Sequence, residues 1–566
     1  MITKINNRNR MKRVTVGVSS LLFPLSSLLF LSSCADYNTT DDFTAQPDPA
    51  FVEPYKDLAP VKSYIDRTGY PNMTLGATLK VADFNKQELA HAAAVTNFDN
   101  IAFGTTLMSG TIVNAKGVMN FLDMSDLLAH VEEIGYEVYG SPLVANANQC
   151  DEWLSLLTAP IEIAVDYVEG KSVDFNESEL GKFGSEDEST AAEIVKYDGQ
   201  NVLKLFAGVK PTHVRVIDGF EVDPKATYTI TFWAMSEKDA SFDINFSGNP
   251  VKGTGPNGKW TFKAGKWNKI VVEAQSASDA TEGYFQIDNS RTGVIYIQKV
   301  EVGYYPDNHR PQTAQEQKDT INYALNAWCD GVMKINAGRI KSFDLIDEAI
   351  DTKAKLENGM YDLKHSEEKI FWQDVLGSEN YAPVVSRIAS GAFERHGGNA
   401  SELKFFISET GLEDQKTFES LKYWIGIWDA NGAKIDGINA KLNLTYSENA
   451  EKQAQTVATL NTLLDNLAST GKLIRLSNFD IRYQGADGAN VPTDKITSEQ
   501  RQQVADFYGQ VIKAYMNKIP HDKQAGICKG SLADSSDLVG LWSVNKNNDW
   551  VRSAVYKAFC DALSGK

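Results

Sequence analysis

The sequence is poor in the residues that build metal centres and disulfide frameworks. Its 566 residues include five cysteines and seven histidines. It contains neither a CxxC pair nor an HExxH motif, so the pattern indicates neither a catalytic zinc site nor a dithiol centre. We therefore expect no cofactor and no metal ion. Four cysteines follow the N-terminal segment at wide spacing, which specifies no disulfide pairing: Cys150, Cys329, Cys528 and Cys560.

Positive charge is also scarce. The chain has 56 Lys and Arg residues against 74 Asp and Glu residues, which gives a formal net charge of −18 at pH 7. Nucleic-acid binding depends on neutralising phosphates with basic side chains, so the composition argues against a nucleic-acid partner. The charge is compatible with a neutral ligand, and equally with solubility alone.

A long apolar run occurs at the N-terminus. Five basic residues precede it, and it ends in Leu31-Ser32-Ser33-Cys34. This order is typical of a secretion signal, and its end resembles a bacterial lipobox. We expect residues 1–33 to be removed, Cys34 to carry lipid, and the polar residues 34–55 to form a flexible tether. Loss of the five basic residues would change the net charge to −23. The expected location is the outer membrane, facing the exterior, with the lipid as the sole membrane contact.

The remaining chain divides into three segments. Residues 56–165 and 308–566 alternate short buried strands with helical stretches, which is typical of a parallel sheet. Residues 166–307 contain seven or more short alternating strands separated by turn residues, which predicts a β-sandwich of jelly-roll type. The two outer segments together have the length of a (β/α)8 TIM barrel. The sequence therefore predicts a barrel with a β-sandwich inserted in an early loop.

Three segments carry a resemblance to a known family. They are "SFDLIDEA" at 342–349, "IDGINAKLNL" at 435–444 and "QAGICKGSLAD" at 524–534. In order and spacing they resemble the fourth, sixth and eighth strands of glycoside hydrolase family 10, the endo-β-1,4-xylanases. The resemblance covers most of both outer segments and implies the (β/α)8 fold. The inserted sandwich resembles a carbohydrate-binding module, which certain xylanases of gut Bacteroidetes carry in this loop.

The resemblance implies two catalytic positions, and one of them is altered. Family members retain anomeric configuration with an acid/base carboxyl and a nucleophilic carboxylate. The acid/base position is Glu348. The nucleophile position falls in Leu476-Ser477-Asn478-Phe479-Asp480, where it is Asn478, and an amide cannot act as a carboxylate nucleophile. Strand alternation predicts that Asn478 and Asp480 share one face, opposite Phe479.

Most positions at which the family grips the sugar are altered as well. Residues of different chemistry stand there: Gly104, Thr105, Met108, Ser141, Ala145, Asn146, Asp347, Lys441, Asn443 and Gly530. The resemblance therefore implies a family 10 barrel that has lost the family's chemistry.

The main prediction is an outer-surface lipoprotein that binds a plant-type polysaccharide, xylan-like by resemblance, without cleaving it. It would serve a glycan-uptake complex on the same cell surface. Candidate carbohydrate contacts are Trp233 and Trp260 of the sandwich, and Glu409 and Lys441 of the barrel. One alternative is an active endo-glycosidase that uses Glu348 with a relocated carboxylate, Asp480 or Glu409. Another is a scaffold in which the sandwich alone binds.

Overall fold

The structure is a computed structural model, and it describes residues 55–184, 191–207, 213–288, 293–545 and 547–565. The predicted leader, the predicted lipidation site Cys34 and all but the last residue of the predicted tether lie outside these ranges. Within them, no helix combines the length and the apolar character needed to cross a bilayer.

The first segment contains five strands and five helices. The strands are β1 (Leu75–Thr78), β2 (Asn100–Ala102), β3 (Glu137–Tyr139), β4 (Val144–Ala145) and β5 (Ile161–Glu162). The helices are α1 (Val81–Asn85), α2 (Leu89–Asn97), α3 (Ser109–Ile112), α4 (Leu122–Ile134) and α5 (Asp151–Leu157).

The second segment is built from strands. These are β6 (Val168–Asp174), β7 (Gly181–Lys182), β8 (Ala192–Tyr197), β9 (Gln200–Leu205), β10 (His213–Phe220), β11 (Tyr228–Met235), β12 (Ala240–Phe246), β13 (Asn249–Val251), β14 (Trp260–Phe262), β15 (Asn268–Ala274), β16 (Gly283–Asp288) and β17 (Ile295–Tyr304).

The third segment returns to alternating strands and helices. Its strands are β18 (His309–Arg310), β19 (Ser342–Asp347), β20 (Ile350–Lys355), β21 (Tyr361–Leu363), β22 (Lys404–Glu409), β23 (Gly437–Ser447), β24 (Leu473–Gln484), β25 (Gln524–Lys529), β26 (Trp542–Val544) and β27 (Trp550–Arg552). Its helices are α6 (Ala314–Asn336), α7 (Trp372–Leu376), α8 (Tyr381–Arg395), α9 (Gln415–Ala430), α10 (Ala450–Ser469), α11 (Ser498–Lys518) and α12 (Ala554–Leu563).

The first and third segments share one parallel sheet, in the order β3-β2-β1-β25-β24-β23-β22-β19-β4. The strands β3 and β4 are two halves of the third barrel strand, interrupted at residues 140–143. A parallel bridge between Gly140 and Phe343 lies at this interruption and closes the sheet. A Cβ on residue 140 would collide with the Phe343 ring, so closure at this point requires glycine. The predicted (β/α)8 barrel with an inserted β-sandwich is confirmed.

Burial on both faces explains why the barrel strands are largely apolar runs in the sequence. The strands β19 and β22 are buried at every position after the first, because helices cover their outer face. Local signals set the helix ends. Thr313 and Glu316 form a capping box at the start of α6, and α4 ends at Gly135 with φ of 64°.

The insert is a sandwich of two antiparallel sheets. One sheet has the order β10-β16-β12-β13, with β14 also paired to β12, and the other has the order β15-β11-β17-β9-β8-β7, with β6 also paired to β17. Alternation along β11 and β12 turns Phe232, Phe242 and Phe246 inward, where all three are fully buried. The ring of Phe285 lies 5.3 Å from that of Phe232 across the two sheets. The short antiparallel pair β5 and β18 joins the sandwich to the barrel.

Candidate active site

A cavity of about 160 Å³ lies inside the barrel toward the carboxyl ends of its strands. We call it the upper cavity. Active sites of (β/α)8 enzymes lie at this end of the barrel. Six of the altered family positions line it: Gly104, Thr105, Met108, Ser141, Asp347 and Lys441. The sequence comparison therefore identified residues that meet in space, although they come from separate loops and strands.

Glu348 follows directly after β19 and is held by Lys441 of β23. The Lys441 ammonium donates to Glu348 Oε1 at 2.8 Å, and it lies 2.6 Å from Asp347 Oδ1. The side chain of Lys441 is 17% exposed and that of Asp347 is 10% exposed. One cation thus bridges two carboxylates at the edge of the upper cavity, which Lys441 and Asp347 both line.

This ion pair sets the protonation of the site. Burial by itself raises the pKa of Glu348, but the charge and hydrogen bond of Lys441, with a contribution from Lys364, bring that pKa below its usual value. Burial likewise favours the neutral amine of Lys441, and the two carboxylates overcome it and raise the lysine pKa. The site therefore holds Glu348 as a carboxylate and Lys441 as an ammonium ion.

Asn478 lines the upper cavity and is exposed. It does not share a face with Asp480, so the prediction from strand alternation is wrong. The pairing of β24 with β25 slips between Leu476 and Phe479, because two residues of β24 lie opposite one residue of β25. Asn478 takes φ of 49° at this bulge, a left-handed conformation that asparagine tolerates better than most residues.

Asp480 points away from the upper cavity. It is 5% exposed, it pairs with the fully buried ammonium of Lys529, and it accepts a hydrogen bond from the Ser531 amide at 3.0 Å. It also lies against Gly530, where a Cβ would collide with its carboxylate. The structure thus gives Asp480 a neutralising partner and does not bring it together with Glu348.

Glu409 at the end of β22 is 3% exposed and is absent from the lining of the upper cavity. Its Oε2 accepts from the Ile350 amide at 3.1 Å, and its Oε1 accepts from the Thr410 amide at 3.0 Å. Burial raises the pKa of Glu409 to about 7, and these amides and Lys364 oppose the shift. Glu409 is thus a buried carboxyl near Glu348 with both oxygens already engaged by the backbone.

The remaining four altered positions are not among the residues that line the upper cavity. Ala145 is buried at the end of β4. Asn146 is 7% exposed and accepts a hydrogen bond from Gln373 at 3.0 Å. Asn443 is exposed and lines a separate groove along α10. The upper cavity is therefore lined by six of the ten altered positions.

Sequence reasoning missed a polar group that also lines the upper cavity, formed by Tyr139, Asp344, Asn439 and Arg475. The Tyr139 hydroxyl donates to Asp344 Oδ1 at 2.7 Å, and the Asn439 amide donates to both Asp344 oxygens at 3.0 Å. The Arg475 guanidinium lies 3.8 Å from the centre of the Tyr139 ring. One sequence signal could have indicated this group: Arg475 interrupts the apolar run that follows the first residue of "KLIRLSNFDI".

The two sandwich tryptophans differ in their surroundings. Trp260 is half-buried, packs against the sandwich core, and donates its indole N–H to the Val251 carbonyl at 2.9 Å. Trp233 lies on the outer face of the larger sheet, where Lys269 and Lys299 place their ammonium groups 5.3 and 5.7 Å from its ring. Trp233 is the better placed of the two to contact a ligand.

The cysteines and possible metal ligands form no further site in the described ranges. All four cysteines there are buried and unpaired to one another, namely Cys150, Cys329, Cys528 and Cys560. The same part of the chain contains no group of three His, Cys, Asp or Glu side chains arranged to hold a metal ion.

Comparison with known proteins assigns the family of the third segment. The family model "Glycosyl hydrolase family 10" matches residues 306–560. A curated relative, endo-1,4-beta-xylanase A of Cellvibrio japonicus, is 20% identical over 282 residues, which is 46% of this chain and 43% of that protein. The chain thus spans under half the length of this relative. The match to the glycosyl hydrolase family 10 model covers the third segment of the chain.

Solved structures support the fold. Xylanase B from Clostridium stercorarium F9 aligns with a TM-score of 0.50 and 12% identity, over 89% of this chain and 100% of that one. Xylanase10C from Cellvibrio japonicus also aligns at 0.50 and 12%, over 90% of this chain and 74% of that one. At such identities these similarities establish the family 10 xylanase-like barrel fold and nothing further.

Proposed function

We propose that this protein binds a plant-type polysaccharide in the upper cavity and does not cleave it. The family 10 domain and the xylanase names of the relatives favour a xylan-like ligand. The proposal rests chiefly on one observation, the Lys441 bridge to Glu348 and Asp347 beside a cavity that presents Asn478 at the nucleophile position.

Retaining hydrolysis requires two carboxyl groups about 5–5.5 Å apart on either side of the scissile bond. Asn478 supplies an amide at the second position, so no glycosyl-enzyme can form there. Lys441 also neutralises part of the negative charge of Asp347 and Glu348, which would otherwise stabilise the oxocarbenium-like transition state of the family. Single transition-state groups are worth about 10²–10³ in rate, and here the nucleophile and its electrostatic surroundings are both changed.

The state of Glu348 is also unsuited to acid catalysis. A glycosidase general acid has a raised pKa so that it carries a proton at the working pH. Lys441 holds the pKa of Glu348 below its usual value. The carboxylate therefore has no proton to give a leaving group, and it serves instead as a hydrogen-bond acceptor and a partner for Lys441.

Gel retardation tests the binding half of the proposal. The wild-type chain should migrate more slowly in native gels that contain xylan than in gels without polysaccharide. Thr105→Trp should abolish or weaken this retardation, because residue 105 lines the upper cavity. Thr462→Trp is the matched control, because Thr462 is exposed on α10 away from the cavity. Equal retardation of all three proteins would place binding outside the barrel.

A second candidate function is hydrolysis by Glu348 and Glu409. The pKa of Glu348 is lowered while that of Glu409 is raised to about 7, a divergence that is common in acid/base pairs. Against it, both Glu409 oxygens accept backbone hydrogen bonds and Glu409 is 3% exposed. Under this alternative, wild type would release product and Glu409→Gln would not.

We also propose that lipid on Cys34 anchors the protein to the outer membrane, facing outward, and that residues 34–55 act as the tether. The support is the sequence pattern alone, a basic and apolar leader that ends at the cysteine. In that position the protein would hold a glycan for enzymes and a transporter of the same cell surface.

A further inference from the structure

Arg475 of β24 is a buried cation, and two of its three donor nitrogens have no partner among the described residues. It is 1% exposed. Its Nε and Nη2 atoms have no hydrogen-bond partner anywhere in the described ranges, and the guanidinium forms no salt bridge with the carboxylates described there. A buried charge without a partner is costly. The interior of a (β/α)8 barrel is ordinarily filled by branched apolar side chains, so a charged group there calls for a ligand or a partner.

The guanidinium is held in place by stacking. It lies 3.8 Å from the centre of the Tyr139 ring, and Tyr139 is itself fixed by its hydrogen bond to Asp344. Gly76 leaves room beside it, because a Cβ there would lie 3.1 Å from Arg475 Nη2. Stacking of this kind orients the flat face of arginine and leaves its edge of N–H groups free to donate.

Two cavities meet at this arginine. The upper cavity of about 160 Å³ lies on one side. A cavity of about 260 Å³, which we call the lower cavity, opens toward the amino ends of the strands. Arg475 and Tyr139 line both cavities. Asn100 lines the lower cavity, and its buried Oδ1 also has no partner among the described residues.

Among the described residues that line the two cavities, the Arg475 guanidinium is a buried charged group with donor atoms that have no partner. In the upper cavity, Lys441 is engaged by Asp347 and Glu348. Asp344 is engaged by Tyr139 and Asn439. The lower cavity adds Lys404 and Glu137 to its lining, one charge of each sign. An anion that reached the axis would therefore meet unused donors at Arg475.

We propose that Arg475 forms an anion-binding site on the barrel axis, and that it takes the carboxylate of a uronic-acid sugar or a free oxyanion of similar shape. The planar fork of arginine matches the two oxygens of a carboxylate. The uronate form of this site rests on the proposed glycan binding and would make the preferred polysaccharide an acidic one. The oxyanion form does not depend on that function.

Calorimetry and thermal unfolding of the full chain at fixed ionic strength test the proposal. The probes are sodium glucuronate and galacturonate, their neutral counterparts glucose and galactose, and sodium sulfate. We expect saturable binding of at least one anionic probe, with a rise in the unfolding midpoint that the neutral sugars do not produce. Binding of a uronate but not of sulfate identifies an acidic glycan, and the reverse identifies a free oxyanion.

The variant Arg475→Met should weaken anion binding at least tenfold. It should leave the unfolding midpoint of the ligand-free protein unchanged or higher, because it removes an unpaired buried charge. The control Lys513→Met removes an exposed charge from α11 and should change neither value. If Arg475→Met does not fold, the comparison of the three anionic probes with the two neutral sugars on wild type decides the matter.

Identical midpoints with all five probes, or undiminished anion binding in Arg475→Met, would overturn the site. Retardation by xylan without any anion binding would contradict this site and leave the proposed function standing. Anion binding without retardation by any polysaccharide would support this site and contradict the proposed function.

Discussion

The ammonium group of Lys441 lies 2.8 Å from Glu348 Oε1 and 2.6 Å from Asp347 Oδ1. We propose that this arrangement keeps Glu348 from acting as the acid/base of a retaining glycosidase, a carboxyl that must exchange a proton with the substrate. In the structure the Glu348 carboxylate has a cationic partner. Glu348 and Lys441 form one structural unit, and its loss should be measurable in stability.

Lys441→Gln should destabilise the folded chain by about 3 kcal/mol at pH 7, because it leaves the buried Asp347 carboxylate and the partly exposed Glu348 carboxylate without their cation. The pKa of Glu348 is lower in the folded protein than in the unfolded chain. The Glu348 carboxylate therefore stabilises the fold at any pH above its unfolded-state pKa, and this stabilisation is lost as the pH falls through its folded-state pKa. The difference between variant and wild type should therefore shrink in acid. Urea unfolding at pH 7 and at pH 4 measures it.

The matched control is Lys518→Gln. Lys518 pairs with Asp465 at 2.8 Å, but that carboxylate side chain is 63% exposed. An exposed pair of this kind contributes about 0–1 kcal/mol. If the two lysine variants lose equal stability, Lys441 is not part of a buried unit.

The raised pKa of Glu409 predicts a second change of folding stability with pH. Its folded pKa is raised from 4.5 to about 7 by burial, so the folded state retains a proton that the unfolded chain gives up. Its contribution therefore falls as pH rises from 4.5 to 7. The variant Glu409→Gln has no carboxyl to ionise at this position, so it does not lose stability in this way. Its free energy of unfolding, relative to that of wild type, should therefore rise by about 3 kcal/mol between pH 4.5 and pH 7.

Urea unfolding at pH 4.5 and pH 7.5 measures the Glu409 effect. Glu419→Gln is the control, because Glu419 is an exposed carboxylate on α9. A pH-independent difference between Glu409→Gln and wild type would show that Glu409 ionises normally.

Much of the fold could be predicted because it depends on local pattern. Apolar runs between helical stretches predicted most barrel strands, and alternation predicted the inward aromatic residues of the sandwich. The strand β1, Leu75–Thr78, was missed because it has four residues, one of which is Gly76, and so carries no alternation. The break between β3 and β4 depends on contact of Gly140 with Phe343, which is distant in sequence.

The candidate site was less predictable, because its geometry depends on strand irregularities. The bulge at Asn478 turns Asn478 and Asp480 to different faces of β24. No residue type in this segment predicts a bulge. Lys441 could be recognised as a replaced family residue, but its bond to Glu348 joins strands that are not neighbours in the sheet. The role of Arg475 required knowledge of what surrounds it.

The lipid anchor predicts where the protein is found in the cell. Cys34→Ala should move the protein from the membrane fraction to the soluble fraction, because lipid chains hold the mature protein by burying methylene groups. Cell fractionation and immunoblotting measure this, with Cys150→Ala, a buried cysteine, as the control. Membrane association that persists in Cys34→Ala would refute the anchor.

The sandwich is predicted to bind a neutral polysaccharide at its outer face. Trp233→Ala in the full chain should weaken this binding several-fold, because the indole offers a flat apolar face to a sugar ring. The affinity should be micromolar to millimolar and insensitive to salt, since the ligand is uncharged. Tyr323→Ala is the control, because Tyr323 is 64% exposed on barrel helix α6. Equal affinities for wild type and Trp233→Ala would remove Trp233 from the site.

The central claim is that the barrel binds without cleaving, and release of reducing sugar from xylan tests it most directly. The assay incubates wild type and Glu348→Gln in parallel at high protein concentration, with gel retardation on the same samples. The account predicts that both proteins release no more reducing sugar than a protein-free blank, while wild type is retarded. Xylan turnover by wild type that Glu348→Gln abolishes would contradict it.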